Sequence, residues 1–195
     1  ACDDEGTVHE VLPRRTTLAR RVASTSRSAE GRDRIQVLAA NVDLVIVRES
    51  TEDVYVGLEL GHDDPRAASL LTHLESLGAK PLPPRSSLCL KAISVDGSRR
   101  IVRFALDYAR ANRRRKVTIV HKANILKMVS GLFLEVGQRI AKEFEGKVES
   151  NDLIVDDCAM QLVLKPKQFD VIVTTNLFGD ILSDEIAGLV GGLGL

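Results

Sequence analysis

Three polar clusters in this sequence hold residue types that could do chemistry. The first is Arg48-Glu49-Ser50-Thr51-Glu52-Asp53, with Tyr55 just beyond it. A guanidinium suits a carboxylate, because its planar fork donates two parallel hydrogen bonds. Taken alone, the cluster reads better as a charged turn between strands. The second is His121-Lys122-Ala123-Asn124. Shielding a lysine from water disfavours its ammonium form and readies it for proton exchange, and a neighbouring carboxamide can orient an oxyanion. His121 reads as a packed or hydrogen-bonded side chain rather than a base. The third runs from Asn176 to Asp184. Asp180 and Asp184 are spaced to stack on one face of a helix near its start, a site for a hard divalent cation. Asp156 and Asp157 could add a further oxygen. Acidic residues in a first helical turn also serve as helix caps, but capping does not explain three such clusters in one chain.

Positioning these groups falls to strands and helices whose pattern begins near Ala40. VDLVIVR, from Val42 to Arg48, is a near-continuous β-branched run, which predicts a strand buried on both faces. DVYVGLEL follows as a second extended piece. Leu70, Leu71, Leu74 and Leu77 fall at helical spacing, and PLPPRSS from Pro81 ends that element. LCLKAIS predicts a short strand. Ser98 to Asn112 predicts an amphipathic helix with Ile101, Phe104, Ala105 and Tyr108 on one face and Arg103, Asp107 and Arg110 on the other. KVTIVHK returns to strand, and Leu132, Val136, Ile140 and Phe144 mark another helix. After a break at Gly146 come the apolar segment LIVDDCAMQLVL, the strand FDVIVTT and a helix from Gly179 to Val190. Strands alternating with helices imply a layered α/β fold. All three clusters then fall at or just beyond the ends of buried strands, where such folds hold functional groups.

Composition narrows the class. Lys+Arg and Asp+Glu balance at 27 each, so no charge excess points to nucleic acid or to a lipid surface. Cys2, Cys89 and Cys158 are odd in number and far apart, which argues against a disulfide framework or a structural zinc and for a reducing compartment. Apolar runs such as Val42 to Val47 are far too short to span a bilayer, and no signal-peptide core is present, so a soluble protein is expected with no membrane partner. The 195 residues suit one ordinary domain or part of something larger. Residues 1–40 stand apart from the domain expected over 41–195. Pro13 to Arg34 is rich in arginine and serine with only Glu30 and Asp33 opposing, as in an organellar transit peptide or a solvated segment.

From about Asn41 to Leu195 the motifs resemble the isocitrate/isopropylmalate dehydrogenase family. VDLVIVRESTEDVYVGLE resembles the Arg-Glu-x-Thr-Glu-Asp-x-Tyr signature of isocitrate dehydrogenases, VHKANILK their Lys-x-Asn motif, and TTNLFGDILSDEIAGLVGGLGL their metal-binding aspartate motif. The resemblance implies the family's layered α/β fold and oxidative decarboxylation of isocitrate to 2-oxoglutarate. NAD would be the cofactor, with NADP not excluded, and the metal would be Mg2+ or Mn2+. By the same resemblance Arg48 would hold a substrate carboxylate and Tyr55 would protonate the carbon left by decarboxylation. Lys122 would assist proton transfer with Asn124 beside it, and Asp156, Asp180 and Asp184 would bind the metal. In the family the lysine and the first aspartate come from the partner subunit, which implies a homo- or hetero-oligomer with a shared active site. Family localisation would be the mitochondrial matrix in a eukaryote and the cytoplasm otherwise.

Isopropylmalate-specific relatives usually carry Thr-Gly-Gly and Asp-Lys-Ala-Asn, so Thr51-Glu52-Asp53 and His121 favour isocitrate or homoisocitrate, and the MQLV and AGLVGGLG segments favour isocitrate. Isopropylmalate, homoisocitrate and tartrate dehydrogenases stay open, as does a non-catalytic regulatory subunit, although intact Asp156, Asp180 and Asp184 favour a catalytic type. The family's opening Gly-Asp-Gly-Ile-Gly-Pro turn, its substrate loop of Ser, Asn and Arg, and its adenosine-binding Gly-Ser-Ala-Pro region do not appear. The sequence is therefore expected to be the central part of such an enzyme, inactive by itself. A Leu-rich and Pro-rich stretch between Leu60 and Leu90 stands where the family makes a short intersubunit clasp.

Overall fold

The computed structural model describes residues 42–190. The arginine-rich segment and the boundary expected at residue 40 lie outside the described residues. Four parallel strands form the centre: β1 (Val45–Arg48), β4 (Lys116–His121), β5 (Glu149–Ile154) and β6 (Val171–Thr174), in the order β1-β6-β4-β5. Register places Val45 beside Val171 and Val117 beside Val171 on its other side, so β6 is enclosed by neighbours. Every residue of β6 is buried, as a VIVT run with apolar side chains on both faces requires.

Alternate residues of these strands enter two cores. Val45, Val47, Val117, Ile119, Val171 and Val173 pack against α2 (Val95–Ala111) and α3 (Val129–Glu143). Val42, Leu44, Val120 and Ile172 face the opposite way, against α4 (Val155–Leu164) and α5 (Asn176–Val190). The period of two in a strand produces this division, and the layered α/β architecture expected from the sequence follows from it. Gly137 lets α3 approach the sheet closely, since a Cβ there would lie 3.1 Å from Ile119. β5 is an edge strand, and its exposed Glu149, Ser150, Asn151 and Asp152 discourage further pairing.

Several boundaries differ from the sequence expectation. DVYVGLEL is not one extended piece. Asp53–Val56 forms a 3-10 turn, because Asp53 adopts a left-handed φ of 77° and its side chain accepts the Val54 amide at 2.7 Å. Only Glu59–Leu60 (β2) is strand, paired antiparallel with Leu88–Cys89 (β3), so LCLKAIS is strand over two residues only. The helix expected from Ser98 begins at Val95, where Ser94 caps it by accepting the Gly97 amide at 2.9 Å. LIVDDCAMQLVL divides at Ile154, with a strand before it and α4 after it; Asp156 and Asp157 sit in the first turn of α4, where the helix dipole favours negative charge. Between β2 and β3, α1 (Pro65–Ser76) starts on Asp64 and Pro65 and buries only Ala67. Among the described residues no helix is long and apolar enough to cross a membrane.

Candidate active site

Because the four strands are parallel, all their C-terminal ends lie on one edge of the sheet. Arg48 ends β1, His121 ends β4 with Lys122 next, Asp156 follows β5, and Asn176 follows β6 and opens α5. The chain leaves β1 and β4 toward the α2/α3 face, and leaves β5 and β6 toward the α4/α5 face. Neighbouring strands thus send their connections apart at this edge, the topological position where open α/β sheets hold ligands.

One group of contacts forms where β1 meets β6. The Arg48 guanidinium donates its Nε–H to Asn176 Oδ1 at 2.8 Å and makes an ion pair with Asp180 through Nη1. The Tyr55 hydroxyl donates to the other Asp180 oxygen at 2.7 Å, and the guanidinium lies 5.0 Å from the Tyr55 ring centre. The hydrogen bond to Asp180 raises the Tyr55 phenol above its ordinary range, helped by desolvation and opposed by Arg48. Gly179 permits this approach: a Cβ there would sit 2.6 Å from Arg48 Cγ.

The 3-10 turn bearing Tyr55 is itself fixed. Glu49, buried after β1, accepts the amides of Thr51 and Glu52 and meets Arg100 of α2. Glu52 accepts the Ser94 amide at 2.8 Å, and its backbone carbonyl accepts from Asn176 Nδ2 at 3.1 Å. Asp53 is fully buried and pairs with Lys91. Burial pushes the Asp53 carboxyl up, but Lys91 and the amides of Val54 and Leu177 together outweigh it and hold the group below the ordinary carboxylate range.

A second group forms where β4 meets β5. Lys122 pairs with Asp156 through Nζ, and this hydrogen bond holds the Asp156 carboxyl below its ordinary range. His121 Nδ1 accepts the Ala123 amide at 3.0 Å and Nε2 faces Asp152 Oδ2 at 3.2 Å, so the ring serves as a hydrogen-bonded structural group, as the sequence implied. Asn124 lies exposed in the turn that follows.

The structure therefore brings Arg48, Tyr55 and Asp180 into contact, and Lys122 with Asp156. Asp184 sits one turn beyond Asp180 on α5, exposed at its surface. Among the described residues no three His, Cys, Asp or Glu side chains gather as one metal site. Carboxylate oxygens are nonetheless the donor type a hard divalent cation takes. Sequence reasoning assigned no contact at the site to Asn176, Glu52, Asp53, Lys91 or Gly179. Asp53 stood inside a quoted motif, whereas Lys91 lay in a stretch that reads only as strand.

A family model for isocitrate/isopropylmalate dehydrogenases matches residues 20–195. The chain belongs to the isocitrate/isopropylmalate dehydrogenase family. The match begins ahead of the motif-bearing region, within the arginine-rich segment. Homoisocitrate dehydrogenase of Methanocaldococcus jannaschii is 46% identical over 157 residues, covering 80% of this chain and 39% of that protein. Regulatory subunit 3 of mitochondrial NAD isocitrate dehydrogenase of Arabidopsis thaliana is 44% identical, covering 80% of this chain and 36% of that protein. The crystal structure of isocitrate dehydrogenase from Methylococcus capsulatus superposes with a TM-score of 0.65 at 51% identity, covering 79% of this chain and 40% of that one. The chain thus spans less than half the length of these relatives. The family consists of decarboxylating dehydrogenases, and these relatives differ in named substrate and in whether they are regulatory.

Proposed function

We propose that this chain supplies catalytic groups for the metal-dependent oxidative decarboxylation of isocitrate to 2-oxoglutarate with reduction of NAD. The observation that carries the reading is the contact of Arg48, Tyr55 and Asp180 at one strand end, with Lys122 and Asp156 paired at another. Arg48 holds a substrate carboxylate with its guanidinium fork. Lys122, with Asn124 beside it, assists removal of the substrate hydroxyl proton, its Asp156 partner being the carboxylate that could accept it, as the carbon bearing that hydroxyl gives up hydride. Carbon dioxide then leaves, and Tyr55 delivers a proton to the carbon that lost it. The Tyr55 hydroxyl carries the proton for that step and stands at the same strand end as Arg48 and Asp180.

Asp180 and Asp184 would hold Mg2+ or Mn2+ together with Asp156 of a partner subunit. When bound, the cation supplies positive charge against the substrate oxygens, and nicotinamide supplies the hydride acceptor, with NADP the alternative. A homo- or hetero-oligomer with a shared site fits two half-sites on one chain. Exposed Met160, Val163 and Leu164 on α4 and Ile181 on α5 give such an oligomer an apolar face. The compartment would be the mitochondrial matrix in a eukaryote, the Arabidopsis relative being named as mitochondrial, and the cytoplasm otherwise.

Isopropylmalate, homoisocitrate and tartrate are the competing substrates, and a regulatory subunit is the competing role. Mn2+ binding to the purified chain decides among them. Binding strengthened by isocitrate and lost in Asp180→Asn supports the proposal. Strengthening by isopropylmalate or homoisocitrate instead reassigns the substrate, and binding unchanged by Asp180→Asn favours the regulatory role. Since the chain spans less than half of its relatives, it should give no NAD reduction by itself. Metal-dependent NADH formation by it alone would refute that point.

A further inference from the structure

Tyr55 presents a physical difficulty. The residue is 51% exposed, so only part of its ring is covered, with the Arg48 guanidinium 5.0 Å from the ring centre, yet its hydroxyl meets one carboxylate oxygen of Asp180 at 2.7 Å. With so little of the ring enclosed, its aim depends also on the backbone that carries it. That backbone is the 3-10 turn Asp53–Val56, and the turn is tied at its first residue. The Asp53 amide donates to Ala92 O at 3.0 Å, one residue from Lys91. One oxygen of the Asp53 carboxylate takes the Lys91 ammonium and the Val54 amide, and the other takes the Leu177 amide at 3.2 Å. Lys91 also lies 4.8 Å from the ring centre of Phe178. Leu177 and Phe178 are in the first turn of α5, ahead of Asp180. The Asp53–Lys91 pair therefore joins the Tyr55 turn, the segment leading into α2 and the head of α5.

We propose that Lys91 and Asp53 are positioning residues for Tyr55, their buried ion pair clamping its turn against the helix that carries Asp180. The proposal rests on the reading of Tyr55 as the proton donor, but its geometry can be tested apart from turnover. An ion pair whose carboxylate is fully buried contributes little to stability by itself, because desolvation offsets its Coulomb energy, so the geometry it fixes is what the proposal turns on. Asp53 also tolerates the left-handed φ of 77° that turns the chain toward α5, and its own carboxylate bonds the next amide there.

The sequence supplies a reporter. It contains no Trp and two Tyr, so Tyr108→Phe leaves Tyr55 as the only tyrosine, and a carboxylate acceptor quenches phenol emission. In that background Asp180→Asn sets the emission of a Tyr55 without its carboxylate. The proposal expects Lys91→Met to raise emission toward that level, and Lys91→Arg, which keeps the charge, to hold it near the parent value. Replacing Lys91 alone strands a buried carboxylate, so the double variant Asp53→Asn with Lys91→Met, which removes both charges, is measured beside it. Circular dichroism establishes which variants are folded. Unchanged emission from the folded double variant or from folded Lys91→Met overturns the proposal. Changed emission without loss of turnover in the assembled enzyme would leave the clamp standing and remove Tyr55 from the chemistry.

Discussion

Replacing Gly179 by alanine should destabilise the protein, although the same change elsewhere in α5 should stabilise it. An added Cβ at Gly179 would meet Arg48 Cγ at 2.6 Å, Cβ at 2.9 Å and Cδ at 3.1 Å. The first two atoms are the root of the side chain, so no rotation at the tip of Arg48 relieves them, and β1 or α5 must move. Overpacking of this kind costs about 1–3 kcal/mol. Against it stands the gain of about 1 kcal/mol for alanine over glycine inside a helix. Gly188, later in the same helix, has nothing within 4 Å of its added Cβ, so Gly188→Ala should realise the helical gain alone. The propensity gain cancels between the two variants, leaving Gly179→Ala less stable than Gly188→Ala by about 1–3 kcal/mol, the packing cost itself. Urea unfolding with a common slope measures the difference. A Gly179→Ala variant as stable as Gly188→Ala would show that Arg48 does not lie against α5, and the contact with Asp180 would fall with it.

Two further outcomes follow from the titratable groups. Asp53 is held below its unfolded-state pKa, so it contributes stability above the unfolded value of about 3.9 and loses that contribution as pH falls through its folded value. Asp53→Asn should flatten the loss of stability on the acid side of that window, read from unfolding midpoints at successive pH values; an unaltered acid slope contradicts the assignment. Burial pushes the Cys158 thiol up to about 12, so in the folded protein it should resist maleimide at pH 8 and react once denaturant exposes it, as peptide mapping of the label would show. Rapid labelling of folded Cys158 would mean that α4 does not cover it.

The elements that place the site were legible where one period dominates the sequence. VDLVIVR, KVTIVHK and FDVIVTT announce buried strands, since apolar residues on successive positions suit a strand packed on both faces, and all three occur. Leu132, Val136 and Ile140 likewise mark α3. What was not legible was set by single side chains acting on the backbone. DVYV has the composition of a strand, but Asp53 folds it into a 3-10 turn through its left-handed φ and its bond to the next amide. LIVDDC looks like one apolar segment, but the sheet ends at Ile154 and α4 takes over. At the candidate site, the family resemblance singled out Arg48, Tyr55, Lys122, Asp156 and Asp180, which the structure gathers into two groups of contacts. It could not find Lys91, because a lysine 38 positions from Asp53 carries no local signal of its partner.

The central claim is that Asp180 and Asp156 serve one metal site from two subunits. The direct measurement counts Mn2+ bound per chain by electron paramagnetic resonance for Asp180→Asn, for Asp156→Asn, and for an equal mixture of the two after subunit exchange. Each variant alone should lose the sites. In the mixture half of the dimers pair one variant with the other, and each such dimer rebuilds one of its two sites, so roughly a quarter of the parent binding should return. A mixture that recovers nothing, while the parent chain binds Mn2+, would place both aspartates in a site within one chain. Full binding by either variant alone would remove that aspartate from the site.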